Sequence, residues 1–272
     1  MSDTKRVILW TAPRCVSTAF ERCMMNLKNL KAIHEPYSLP YYFGNERLSK
    51  RYISEDAIPA ATYNSVGQLL QKEYDGVDCV FSKDMAYYVK GRFGIFLEDG
   101  FKDFQHTFLI RNPEKAVYSL YKASINPKLT GWDYFDPEEA GFLQLFELYN
   151  FVKKHVNPSP VVLDADDLLE APDEIMQSYC EAIGVDHEPG MTRWEPGPVD
   201  EWDVWAGWHE NVLKSSGFQR TPGKKEASNC KAACKEEVPD DVARVIKQSM
   251  SGYEAMYAQR LLPKSTAKEL IS

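Results

Sequence analysis

This chain lacks a basic excess, a long apolar run and any glycine-rich nucleotide motif. Its 272 residues carry 32 Lys and Arg against 40 Asp and Glu, a formal charge of −8. That balance argues against the broad basic face of a nucleic-acid binder, so a polyanionic ligand would need a locally basic site. No stretch reaches the roughly 18 consecutive apolar residues of a membrane span. The first apolar run, Val7–Trp10, is too short for a signal-peptide core, and the C-terminal KELIS is no lipidation signal. The expectation is a cytoplasmic protein without nucleic-acid or membrane partners. The triphosphate pattern GxxxxGK[ST] and the dinucleotide pattern GxGxxG are both missing. Cysteine is sparse: six, at positions 15, 23, 79, 180, 230 and 234. Without a secretory context they read as reduced thiols. Cys230 and Cys234, with His209 the nearest upstream histidine, make a poor zinc set and read as thiols in a Lys-rich surface segment. No metal is expected.

What is present is an ordinary globular composition, 44% apolar and 26% charged, which excludes disorder and suffices for a large core. Short apolar runs at Val7–Trp10, Ala32–His34, Val77–Ser82, Thr107–Ile110 and Val161–Leu163 read as buried strands. Helical patterns separate them: Thr18–Leu27, Ser65–Tyr74, Lys90–Leu97, Glu114–Ala123, Pro137–His155 with Asp136 as cap, Asp173–Ile183 ending at Gly184, and Asp240–Arg260. The alternation predicts an α/β fold, a central parallel sheet of about five strands flanked by helices. Residues 185–238, rich in Pro, Gly and Trp, read as an irregular cover with one helix near Trp202–Lys214, and 239–262 as the C-terminal helix. The whole of 1–272 reads as one domain. Ligands of such sheets bind at the carboxyl ends of the strands, so the residues just after each strand are the candidates.

After the first strand comes Thr11-Ala12-Pro13-Arg14-Cys15-Val16-Ser17-Thr18-Ala19. A strand–loop–helix joint offers free backbone N–H groups and the positive end of a helix dipole, hence an anion site. Ser17 and Thr18 add hydroxyls, although simple N-capping would explain them too, and Arg14 adds a planar cation. Without GK[ST], the loop suits a single phosphate better than a triphosphate. After the fourth strand comes Arg111-Asn112-Pro113, with Ser119 two helical turns on. It could hold a second phosphate or be an ordinary surface arginine.

Taken together, PRxxST after strand one and RxPxxxxxS after strand four resemble the sulfotransferases that use PAPS (3′-phosphoadenosine 5′-phosphosulfate), in a P-loop-kinase-like fold. The resemblance covers roughly residues 6–125 plus the fifth strand. It implies that Arg14, Cys15, Val16, Ser17, Thr18 and Ala19 cradle the 5′-phosphosulfate and that Arg111 and Ser119 bind the 3′-phosphate. Cys15 stands where the family often has Ser. Arg220, Gly223 and Lys224 are a possible counterpart of a late Gly-basic loop, or simply a solvated basic loop. Trp194 could stack on adenine.

Glu35-Pro36, after strand two, matches a Glu-Pro of carbohydrate and small-molecule members whose Glu is the proposed base. Glu35 reaches the sulfuryl group if strand two neighbours strand one. His34 is the rival base, and strand alternation suggests that only one of the two enters the cleft. Lys83, after strand three, is a helper or else the salt-bridge partner of Asp84. Arg14 would neutralise the leaving oxygen of the product, PAP. Tyr37, Tyr41, Tyr42, Phe43, Tyr87, Tyr88, Trp132, Tyr134 and Phe135 offer walls for a small-molecule acceptor of unread identity, neutral or cationic given the acidic exterior. The spacing of Trp202, Trp205 and Trp208 predicts a helical packing face. Two other readings stay open. One is a P-loop kinase, whose metal-binding Asp the VFSKD segment ending at Asp84 resembles. The other is a nucleotide-binding protein without activity.

Overall fold

The computed structural model describes residues 4–205, 207–219 and 238–265. Five strands form one sheet: β1 (Lys5–Thr11), β2 (Leu30–His34), β3 (Cys79–Met85), β4 (Gln105–Ile110) and β5 (Val162–Asp164). All pairings are parallel, in the order β2-β3-β1-β4-β5. The five-strand parallel sheet is therefore as the sequence implied, except that β3 lies between β1 and β2. All the carboxyl ends share one edge.

Alternate strand residues divide between two cores. Val7 and Leu9 of β1, with Cys79 and Phe81 of β3, pack against α1 (Ser17–Met24) and α8 (Pro172–Ile183). Ile8 and Trp10 face the other side, with α3 (Tyr63–Gln71), α4 (Pro113–Ser124), α6 (Phe142–His155) and α10 (Asp240–Tyr257). Both faces are thus covered, which is why the strands read as continuous apolar runs instead of alternating ones. Trp10 is fully buried, and its indole N–H donates to His106 Nδ1 at 2.9 Å. Truncating it would cost about 3–5 kcal/mol.

Several elements differ from expectation. β3 runs on to Met85 because Ser82–Met85 stay in register with Ile8–Thr11, so Lys83 sits within the strand and not after it. The Lys90–Leu97 pattern is not an α-helix; two 3₁₀ turns, Ala86–Val89 and Phe93–Leu97, flank Gly91. Pro137–His155 is split by Gly141 at φ 72°, where an added Cβ would meet the Tyr87 ring at 2.7 Å. A 3₁₀ turn, Pro137–Ala140, precedes it, with Asp136 capping Glu138 N. Trp202–Lys214 is likewise a 3₁₀ turn, Asp200–Trp205, and the short helix α9 (Glu210–Leu213). The short helices α2 (Ser38–Tyr42), α5 (Pro127–Thr130) and α7 (Ala165–Glu170) have too few residues to show a periodic pattern. Among the described residues no helix is long and apolar enough to cross a membrane.

Candidate active site

All five strand ends contribute to one cleft of about 410 Å³. Its lining includes Arg14 after β1, Glu35 after β2, Tyr87 and Tyr88 after β3, Arg111 after β4 and Leu169 after β5. His209 and Ser215, from the late segment, close it.

The β1–α1 loop forms the anion-binding wall. Pro13, Arg14, Val16, Ser17, Thr18 and Ala19 all line the cleft. Arg14 and Val16 lie at φ 66° and 68°, in the left-handed region. For a β-branched residue that is a strained conformation. Alternating left-handed residues of this kind aim successive N–H groups inward as a nest. Val16 is the N-cap of α1, and no side chain caps the helix. The capping explanation of Ser17 and Thr18 is thereby set aside, and the helix N-terminus is left open to an anion. The Cys15 side chain turns the other way. It is wholly buried, and burial pushes its thiol up to about 12, so it is inert.

Arg14 and Arg111 cross-brace this wall. Arg14 Nε donates to Ser119 Oγ at 3.1 Å and its Nη1 to the Trp208 carbonyl at 3.2 Å. Arg111 Nη1 donates to the Arg14 carbonyl at 2.8 Å, while its Nε is buried with no hydrogen-bond partner. Burial, with Arg111 second, pulls the Arg14 guanidinium below its ordinary value. Two cations held this close favour an anion between them. An uncapped helix N-terminus and an unpartnered buried guanidinium N–H fit a phosphate-type group.

The opposite wall holds a buried polar cluster. His34 and Lys83 are paired neighbours on β2 and β3 and face α1, where Glu21 sits. Glu35 would face the other way in an extended chain. Its φ of 42° breaks the alternation, and its carboxylate comes to 3.8 Å from His34 Nε2. Lys83 Nζ donates to Glu35 Oε1, and Tyr88 Oη donates to Oε2 at 3.0 Å. His34 Nδ1 bonds Glu21 Oε2 at 2.6 Å. Burial alone would raise the Glu35 carboxyl, but the Lys83 ammonium together with the neighbouring His34 and His209 rings outweighs it and holds the group down at about 2. His209 Nδ1 lies 3.2 Å from Thr18 Oγ1, and its ring meets His34 edge-on at 4.9 Å. Burial, with Lys83 nearby, keeps His209 neutral by lowering it to about 2.

Several expected positions move. Lys83 pairs with Glu35, and Asp84 is instead held by the N–H groups of Tyr37 and Met85. Asp84 does not line the cleft, so the kinase-like reading of VFSKD finds no support. Glu35 lines the cleft and His34 stands behind it. Trp194 is not at the cleft; it packs on Phe218 with its indole N–H 3.3 Å from Ser215 Oγ. Tyr37, Tyr41 and Tyr42 belong to the core, whereas Tyr87, Tyr88 and Trp132 line the cleft. Trp205 and Trp208 line it too, and Trp202 packs on His34 and His209. Arg220, Gly223, Lys224, Cys230 and Cys234 lie outside the described residues. Glu21 and His209 were not legible as site residues. Glu21 had one signal, a carboxylate four residues after Ser17 on the helix face that α1 buries. His209 had none.

A sulfotransferase-domain family model matches residues 5–258. The chain is 26% identical over 218 residues to branched-chain-amino-acid aminotransferase-like protein 2 of Arabidopsis thaliana, covering 77% of this chain and 35% of that protein. It is 26% identical over 180 residues to the sulfotransferase ppzF of Metarhizium majus, covering 57% of this chain and 52% of the relative. The chain thus spans between a third and about half of the length of these relatives. In fold it is similar to the sulfotransferase domain of the curacin biosynthetic pathway (TM-score 0.56, 16% identity, 97% of this chain and 100% of that one). It is also similar to the sulfotransferase domain of the Synechococcus PCC 7002 olefin synthase (TM-score 0.54, 14% identity, 91% and 96%). Strand order, strand-end cleft and a family match over nearly the whole length agree, and the chain belongs to the sulfotransferase domain family.

Proposed function

We propose that this protein is a PAPS-dependent sulfotransferase that acts on a hydroxyl or amine of a small-molecule acceptor. One observation carries the reading. An uncapped helix N-terminus flanked by Arg14 and Arg111 shares a cleft with a buried carboxylate, Glu35. The first suits the phosphates of the donor and the second suits the proton of the acceptor. PAPS supplies the sulfuryl group. The N–H groups of the β1–α1 loop, with Ser17, Thr18 and Arg14, would hold its 5′ end. Arg111 and Ser119 would hold the 3′-phosphate. Arg14 already contacts Ser119, so the two sets form one continuous surface.

Sulfuryl transfer asks the protein mainly for positioning and charge stabilisation. Arg14 is fixed by Ser119 and the Trp208 carbonyl, ready to offset charge on the departing oxygen. Glu35 accepts the acceptor's proton. Tyr87, Tyr88, Trp132, Trp205 and Trp208 give the acceptor end apolar walls. Among the described lining residues the cations are Arg14 and Arg111, both at the donor end. A neutral or cationic apolar acceptor suits this division. The same reading places the enzyme in the cytoplasm, in keeping with the free thiols of Cys15, Cys23, Cys79 and Cys180.

Isothermal titration with PAP and with ATP, both without metal, tests the donor reading. Tight PAP binding and no ATP binding is the expected result; the reverse sinks it. A panel of hydroxyl and amine compounds with radiolabelled PAPS then tests transfer. PAP binding with no transfer to any acceptor would favour a binding protein without activity.

A further inference from the structure

The base assigned to Glu35 poses a chemical problem. Its carboxylate has Lys83 on one oxygen and Tyr88 on the other. A carboxyl held at about 2 takes a proton only fleetingly near neutral pH. The proton needs a more basic destination within reach, and the structure holds two buried imidazoles beside Glu35. His209 is a poor one. Its Nδ1 faces the Thr18 hydroxyl, and burial beside Lys83 suppresses its charged form.

His34 is differently placed. Its Nδ1 is 2.6 Å from Glu21 Oε2 in a site where both side chains are almost fully buried. A carboxylate only accepts, so Nδ1 carries the hydrogen and a neutral ring presents its lone pair at Nε2. That Nε2 is buried without a hydrogen-bond partner and lies 3.8 Å from Glu35 Oε1. A shift of about 1 Å, within side-chain adjustment, makes it a hydrogen bond. Buried polar atoms are seldom left unpaired without a reason.

We propose that Glu35 and His34 work as one base, in which Glu35 relays the acceptor's proton to His34 Nε2 and Glu21 positions the ring to receive it. This rests on the sulfotransferase reading and deepens its account of the base. In the step, the acceptor's O–H or N–H bond breaks and its electron pair forms the new bond to sulfur. The sulfur–oxygen bond of PAPS breaks, and its electrons leave on PAP. The proton passes to a Glu35 oxygen and on to the Nε2 lone pair. Glu35 is again a carboxylate, and the new imidazolium faces the Glu21 carboxylate. His34 is thus a positioned proton store that touches Glu35 and not the acceptor. The groups facing it are Glu21 of α1, Lys83 of β3, Glu35 after β2, and the His209 and Trp202 rings of the late segment.

Two measurements on the full chain test the relay. Nitrogen NMR of 15N-histidine protein, with His34 assigned through His34→Gln, reads the ring directly. The expected ring at pH 7.5 is neutral, with hydrogen on Nδ1 and a bare, pyridine-like Nε2. Glu21→Gln keeps an acceptor for the Nδ1 hydrogen but removes its charge, so the Nδ1–H signal should shift while Nε2 stays bare. An imidazolium at pH 7.5, or a hydrogen on Nε2, overturns the proposal. The second measurement is kinetic, with radiolabelled PAPS and the best acceptor of the panel. Gln at 34 still donates to Glu21 but stores no proton. His34→Gln should lower kcat 10- to 100-fold and remove the acid limb of the kcat/KM profile, with PAP affinity within twofold of the parent. Unchanged kcat and an unchanged profile overturn the relay. Failure of the parent protein itself to bind PAP overturns the donor reading instead, and the NMR arm still judges His34.

Discussion

Lys83 Nζ, wholly shielded from solvent, is bonded to the Glu35 carboxylate, itself 5% exposed. Removing one member of such a pair strands the other charge in a low-dielectric site, at a cost of about 3–5 kcal/mol. Lys83→Met should therefore lower the melting temperature by roughly 10 °C in a chain of this size. It should also let the Glu35 carboxyl rise, because burial then loses its strongest counterweight. The double variant Lys83→Met with Glu35→Gln should recover part of the loss. Thermal melts of the three variants decide the point; a double variant no more stable than Lys83→Met would show that the pair is not the origin of the cost.

At the donor wall, Arg111 has one buried N–H without a partner and Arg14 is already braced by Ser119. Arg111→Ala should weaken PAP binding 10- to 100-fold, about 1.4–2.8 kcal/mol. Ser119→Ala should cost less, a few-fold, through a lost hydroxyl and a looser Arg14. Titration calorimetry measures both, and the affinity of the parent should fall with added salt. An Arg111→Ala protein that binds PAP as the parent does would remove Arg111 from the site.

The left-handed backbone at Val16 gives a third test. A branched side chain at φ 68° is strained by about 1–2 kcal/mol relative to glycine. Val16→Gly should raise the melting temperature by about 1–4 °C if half of that is recovered. PAP affinity should fall, because a glycine loop must be ordered when the ligand binds. A drop in melting temperature would show that Val16 packing against the α1 side of the sheet outweighs the strain.

The strands and the two anion motifs were legible because their physics is local. A buried run such as Val7–Trp10 ends in a loop that must leave N–H groups free. Arg14 and Arg111 follow strands whose carboxyl ends share one edge. The base was only half legible. Strand alternation sends His34 and Glu35 to opposite faces, and the φ of 42° at Glu35 cancels that rule. The place of β3 between β1 and β2, which brings Lys83 to both Glu21 and Glu35, is a property of the sheet order. No window of sequence contains it. His209 reaches Thr18 only because the late segment folds back over the cleft, and its neighbours in the chain carry no sign of it.

Acid should destabilise the protein earlier than its carboxylates alone would allow. His106 is buried, accepts from the Trp10 indole, and is lowered to about 3 by burial; His209 is lowered to about 2. Unfolding frees both rings to take protons near pH 6.5, which the folded state refuses. The unfolded state binds more protons below that point, so stability falls as pH falls, by up to about 1.4 kcal/mol per pH unit for each ring. Glu35 adds the same sign lower down. Its folded value lies below the unfolded one, so its contribution is present above about 4.5 and is lost as pH falls towards about 2. Urea melts between pH 7 and 5 should lose about 2 kcal/mol for each histidine. His106→Leu removes one of the rings and should flatten that slope by nearly half, although the lost indole bond lowers stability at pH 7. A slope in His106→Leu as steep as the parent's would mean that His106 takes up a proton without unfolding.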